Sequence, residues 1–283
     1  MTTTQSFGSR VRDAIATRGP LCVGIDPHDA LLEQWGLPVS AAGAREFSLR
    51  VIEASAGEVG IVKPQVSFFE RYGAAGFTVL EDVIRQARAA GLLVIADAKR
   101  GDIGSTTEGY AQAWLAPGAP LESDALTVSP YLGVGALEPA FEAAARYGKG
   151  LFVLAATSNP EAIALQSAFD ADARTVTEQV IGEVSERNRR TTEPGGWGSF
   201  GFVIGATVDL AARGVPAHLD PPAPILAPGF GAQGAQLRDL GDIFGALAPT
   251  VIASESRGIL RAGPVGLIPA IRTRNEELEI ARG

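Results

Sequence analysis

Two rhythms alternate along this chain. Short, predominantly apolar runs recur at residues 21–25, 59–65, 92–96, 125–128, 150–155, 202–204, 224–227 and 251–253. Runs of this length and continuity suit strands that are buried on both faces. Between most of them, apolar residues fall three and four apart, the spacing of one helical face. Residues 9–18 read as a short leading helix. Ser40 can cap a helix running to Ala56, with Phe47, Val51 and Ala54 on one face and Gly57 as its stop. Phe77, Leu80, Ile84 and Ala87 form a stripe ended by Gly91; residues 108–116 and 135–147 predict two more helices. In the longest connection, about 161–200, Val176, Val180, Ile181 and Val184 share a face before a turn-rich stretch at 191–198. Strands alternating with helices imply a parallel sheet, and eight such units imply a closed α/β barrel. The expected architecture is therefore a single (β/α)8 TIM barrel over residues 1–283, with 161–200 an elaborated connection and not a second domain. No G-x-G-x-x-G follows the first run, which disfavours a dinucleotide-binding sheet.

The polar residues that interrupt this pattern stand where strands end. The run at 92–96 continues into Asp97-Ala98-Lys99-Arg100-Gly101-Asp102-Ile103-Gly104-Ser105-Thr106. Strand side chains alternate faces, so Asp97 and Lys99 point the same way, and the glycines then break the strand with Asp102 on the turn. A bare D-x-K-x-x-D is compatible with a plain salt-bridged strand end. Lys63 closes the second run directly before Pro64, which favours extended backbone. Surface lysine and site lysine are both open readings there. Asp26 precedes Pro27 and fits a turn, His28 fits ordinary loop, and Ser158 follows the fifth run. Barrel enzymes work at the C-terminal ends of their strands, where Asp26, Lys63, Asp97, Lys99 and Ser158 all lie in this register.

Two further segments fit an anion. Residues 228–234 follow the seventh run and 254–259 the eighth, the two places where barrels commonly bind phosphate. Glycines there let backbone N–H groups approach, Arg257 supplies a forked donor and Gln233 an amide. The composition narrows the partners. A formal charge of −8 argues against nucleic acid and anionic membrane surfaces. The single Cys22 leaves no internal disulfide, and no Cys/His cluster has zinc-ligand spacing. Residues 1–12 lack the apolar core of a secretory signal, and no apolar run could span a bilayer, so a cytoplasmic protein is expected.

The stretch D-A-K-R-G-D-I-G-S-T, with the motifs around it in order from about Leu21 to Leu260, resembles the signature of the orotidine 5′-phosphate decarboxylase family, in its longer bacterial subgroup. The resemblance implies conversion of orotidine 5′-phosphate to uridine 5′-phosphate and carbon dioxide, the last step of de novo UMP synthesis, with no cofactor and no metal. It implies an alternating array of Lys63, Asp97, Lys99 and Asp102, with Lys99 protonating the ring carbon. It carries Asp26 and Thr106 to the ribose hydroxyls, Ser158 to the pyrimidine edge, and Gln233 and Arg257 to the 5′-phosphate. It further implies a homodimer with shared sites, Asp102 and Thr106 coming from the other subunit. Two rivals keep the barrel: a magnesium-dependent sugar-phosphate decarboxylase or aldolase using D-x-K-x-x-D as a metal site, and a non-catalytic nucleotide-phosphate binder. Lys63 speaks against the first, since an ammonium beside the carboxylates would displace a cation. The second has no need of alternating buried charges.

Overall fold

Each of the eight apolar runs becomes a strand in the computed structural model, which describes residues 5–231 and 234–282. The strands are β1 (Leu21–Ile25), β2 (Ile61–Pro64), β3 (Leu93–Arg100), β4 (Ala125–Val128), β5 (Gly150–Ala156), β6 (Phe200–Ile204), β7 (Ile225–Pro228) and β8 (Val251–Glu255). They pair in parallel in chain order, and β8 closes on β1 to complete a barrel. Helices cover the outside. Ser40 caps Ala41–Ser55 by accepting from Gly43 N at 3.3 Å, and Thr175 caps Val176–Thr191 by accepting from Glu178 N at 3.0 Å. On the latter helix Val180, Ile181 and Val184 are buried, whereas Val176 is half-buried.

Period-two alternation stacks the barrel interior in layers. One residue per strand builds an apolar floor: Cys22, Ile61, Ile95, Ala125, Phe152, Val203, Leu226 and Ile252. Phe7, Val11 and Ile15 of the helix Phe7–Arg18 join the same cluster and plug the barrel bottom. Phe7 meets Phe152 edge-on at 5.9 Å, and its ring fills the space a side chain at Gly150 would need. Two residues further along, β2, β3 and β4 present Lys63, Asp97 and Thr127, and β8 presents Ser254. The floor is dry; the layer above it is polar. The layering fixes where the chemistry can be.

Three departures from the sequence pattern have physical reasons. The helix after β3 starts at Gly104 and not at 108, because Gly104 takes φ +53, which turns the chain directly into the helix. No helix among the described residues joins β6 to β7; Pro216, Pro221, Pro222 and Pro224 there deny the N–H groups a helix needs. A terminal helix, Gly263–Arg282, was not anticipated: Leu267, Ile271 and Leu278 are fully buried, but Pro269 masks their pattern.

At the bottom rim Glu122 Oε1 accepts from Lys149 Nζ and Arg88 Nη2, both at 2.7 Å, and Oε2 accepts from Gly118 N at 2.8 Å. Burial alone would raise the Glu122 carboxyl, but these three donors outweigh it and bring it down to about 2. A depressed folded-state pKa contributes stability that is present above the unfolded value and lost as pH falls toward the folded one. Glu122→Gln should therefore lower stability by about 2 kcal/mol at pH 7, with the gap shrinking as pH falls below the ordinary carboxylate range toward 2. Urea unfolding at pH 7 and pH 3 checks this; a gap unchanged at pH 3 would remove Glu122 from the network's account.

Candidate active site

β3 carries the centre of the site, and it does so by breaking its own register. Between Ala96 and Arg100, four residues on, β4 advances only from Leu126 to Val128. The surplus is taken up at Lys99, which sits at φ +49, a left-handed conformation that costs a lysine on the order of 1 kcal/mol. Thr127 compensates: its hydroxyl accepts from Lys99 N at 2.9 Å and donates to Asp97 Oδ1 at 3.0 Å. The bulge directs the Lys99 ammonium back onto Asp97, 2.6 Å from Oδ1. Lys63, one strand over, meets Oδ2 of the same carboxylate at 3.0 Å. Asp97 O accepts from Val66 N at 3.3 Å, which locks the turn after β2 to β3.

The electrostatics follow from this packing. The side chains of Lys63 and Asp97 are 7% and 10% exposed, and that of Lys99 is 46% exposed, so two charges lie in the wall and the third reaches into open space. Burial would raise the Asp97 carboxyl, but Lys63 and Lys99 together hold it far below the ordinary carboxylate range. Burial would likewise lower Lys63, and Asp97 with Asp26 reverses that and holds it above the ordinary lysine range. The buried pair is fully ionised at neutral pH. Beneath it, burial pushes the Cys22 thiol up to about 12, so Cys22 is an inert core residue.

These groups open into a cavity of about 1150 Å³ at the C-terminal mouth of the barrel. Asp26, Lys63, Asp97, Lys99, Ser158 and Arg257 all line it. Asp26 Oδ1 is buried and has no hydrogen-bond partner among the described residues, so it is poised to accept from a bound hydroxyl. Arg257 opens a short helix after β8 and lines the cavity together with Gly229 and Phe230 of the β7 loop. Gln233 lies outside the described residues. Asp102 and Thr106 are not brought to this cavity. Asp102 is half-buried at the rim and accepts from Ile103 N at 2.8 Å, and Thr106 is exposed on the first turn of the helix Gly104–Leu115.

Several lining residues escaped the sequence reading. Gln65, two positions beyond Lys63, faces the cavity, and Ser254 and Ser256, individually unremarked within the segment 254–259, line it too. His28 also lines it, tilted against Phe68 at 6.0 Å. Burial, helped by nearby Arg257, holds His28 below the ordinary histidine range, so it is neutral at pH 7. Thr127 was legible in principle, as the one hydroxyl in the apolar run Ala125 to Val128.

Comparison with known proteins bears on this arrangement. Residues 19–266 match the orotidine 5′-phosphate decarboxylase / HUMPS family. The chain is 52% identical over 260 residues to the orotidine 5′-phosphate decarboxylase of Salinispora tropica, covering 92% of this chain and 91% of the relative. It is 50% identical over 277 residues to that of Streptomyces coelicolor, covering 98% and 96%. A crystal structure from Streptomyces avermitilis, assigned the same activity, superposes with a TM-score of 0.93 at 49% identity, covering 99% of this chain and 97% of that one. With the barrel, the strand-end charges and these matches in agreement, the chain belongs to the orotidine 5′-phosphate decarboxylase family.

Proposed function

We propose that this chain converts orotidine 5′-phosphate to uridine 5′-phosphate and carbon dioxide without a metal or cofactor. The observation that carries the reading is a carboxylate, Asp97, held ionised between two ammoniums in the wall of a cavity that Arg257 also lines. As the bond from the ring carbon to the substrate carboxylate breaks, its electron pair stays on the ring carbon and carbon dioxide departs. The Lys99 ammonium lies against that developing charge, stabilises it and donates the proton that completes uridine 5′-phosphate; water then reprotonates the amine. Asp97 faces the substrate carboxylate, and their repulsion is relieved as carbon dioxide leaves. Lys63 keeps Asp97 ionised and fixes its plane. Asp26 accepts from a ribose hydroxyl through its unpartnered oxygen, Ser158 meets the pyrimidine edge, and Arg257 with Gln233 grips the 5′-phosphate.

The fourth charge comes from a second copy of the chain. Ile103 stands between Asp102 and Thr106, and Tyr131 and Leu132 follow the neighbouring strand β4; the three are 62%, 75% and 54% exposed, apolar surface that burial against another copy would cover. A two-fold dimer through this surface brings each chain's Asp102 and Thr106 into its partner's cavity.

Arg257→Ala tests the substrate end. Phosphate binding far from the reacting carbon is remote binding energy used to assemble a closed site. The variant should therefore raise KM by at least about a hundredfold, about 2.7 kcal/mol, and lower kcat as well. Turnover is followed by the loss of ultraviolet absorbance of orotidine 5′-phosphate. A variant that still distinguishes the nucleotide from its nucleoside as the parent does would take Arg257 out of the phosphate site.

A further inference from the structure

Alternation along the end of β8 sends Ser254 and Ser256 toward the cavity and Glu255 the opposite way, behind the two loops at its phosphate end. Glu255 is 2% exposed. Its Oε1 occupies the space that a side chain at either Gly231 or Gly258 would need, so it lies directly under the backbone of both loops. Gly231 holds φ +68 in the β7 loop, and Gly258 follows Arg257 in the first turn after β8. On the other side Arg274 Nε, from the helix Gly263–Arg282, approaches Oε2 at 3.3 Å. Arg274 is itself tied to Glu277 at 2.7 Å. Burial raises the Glu255 carboxyl above its ordinary range, against the pull of Arg274 and with a push from Glu277. A carboxyl so enclosed acts chiefly through its reach and shape.

We propose that Glu255 is a positioning residue for the 5′-phosphate: it spaces the Gly231 and Gly258 backbones beneath the anion and anchors both loops to the terminal helix through Arg274. The inference rests on the reading that these loops bind the phosphate. Both loop glycines then have a shared cause, since any side chain at either would collide with the carboxyl.

Two conservative substitutions separate reach from charge. Glu255→Asp keeps the carboxyl but withdraws it by one methylene; Glu255→Gln keeps the length and removes the charge. The measurements are KM for orotidine 5′-phosphate and the competitive inhibition constants of uridine 5′-phosphate and uridine. Glu255→Asp should raise the uridine 5′-phosphate constant about tenfold while moving the uridine constant less than twofold, and Glu255→Gln should stay within about threefold of the parent for both. A merely structural defect would weaken both inhibitors together. An unchanged nucleotide-to-nucleoside ratio in Glu255→Asp overturns the proposal, as does a Glu255→Gln protein impaired in that ratio as much as Glu255→Asp. Arg274→Gln releases the carboxyl from the helix side and should shift the same ratio at least threefold; an unchanged ratio there overturns the proposal even if Glu255→Asp does not fold. If Arg257→Ala also leaves the ratio intact, the phosphate-loop reading itself has failed; if only the Glu255 and Arg274 variants do, the failure belongs to this inference alone.

Discussion

Lys99→Ala should cut turnover of orotidine 5′-phosphate by at least about 10⁴-fold, about 5.5 kcal/mol, while uridine 5′-phosphate still binds. The ammonium stands 2.6 Å from Asp97 and is the only one of the three central charges reaching well into the cavity. The interaction proposed for it, with a developing carbanion, would exist only in the transition state, so its loss should fall on kcat and not on ground-state affinity. The variant also leaves Asp97 with one ammonium, Lys63, to hold it ionised. Lys99 is nearly half-exposed and adopts a strained φ, so its removal should not unfold the barrel. Stopped or steady-state absorbance assays with calorimetric titration of uridine 5′-phosphate read the two halves separately. A variant within about tenfold of the parent, a loss of only ~1.4 kcal/mol, would mean that Lys99 is not the proton donor.

Mixing two inactive proteins should restore activity. Lys99→Ala and Asp102→Ala homodimers are each expected to be severely impaired if, as proposed, each site takes Lys63, Asp97 and Lys99 from one chain and Asp102 from the other. In a heterodimer one site collects both defects. Its second site takes Lys99 from the Asp102→Ala chain and Asp102 from the Lys99→Ala chain, and so is intact. Under conditions that permit subunit exchange, activity should rise from near zero to as much as about half that of the parent per heterodimer, if the sites act independently. Were Asp102 to serve its own chain, every heterodimer site would carry one defect and nothing would return. No recovery, with exchange verified by mass spectrometry of differently tagged chains, would sink the shared site. Asp102 accepts from Ile103 N and does not line its own chain's cavity, which motivates the experiment.

The barrel was legible because its signal is collective. Eight apolar runs of strand length, most separated by helical spacing, leave few other ways to bury so much surface. Positions at strand ends were legible for the same reason: period two carries the apolar floor at Ile61 and Ile95 to Lys63 and Asp97 in the next layer. What alternation alone misstates is how Lys99 reaches Asp97. Continued alternation would place them on one face of a regular strand, whereas the contact is made through a bulge and a left-handed residue held by Thr127. That arrangement depends on a side chain from another strand, about which residues 97–99 carry no information. Glu255 was hidden for a similar reason, since two loops and the terminal helix enclose it only in the folded chain. The missing helix between β6 and β7 could have been read from its prolines, and the terminal helix was obscured by Pro269.

Turnover of orotidine 5′-phosphate by the exhaustively chelated protein tests the central claim most directly. Lys63 Nζ lies 3.0 Å from Asp97 Oδ2, and its ammonium would repel a divalent cation there. The account therefore predicts full conversion to uridine 5′-phosphate, with one carbon dioxide per nucleotide and no change on adding magnesium. No conversion by folded protein, or activity lost on chelation and restored by magnesium, would contradict it.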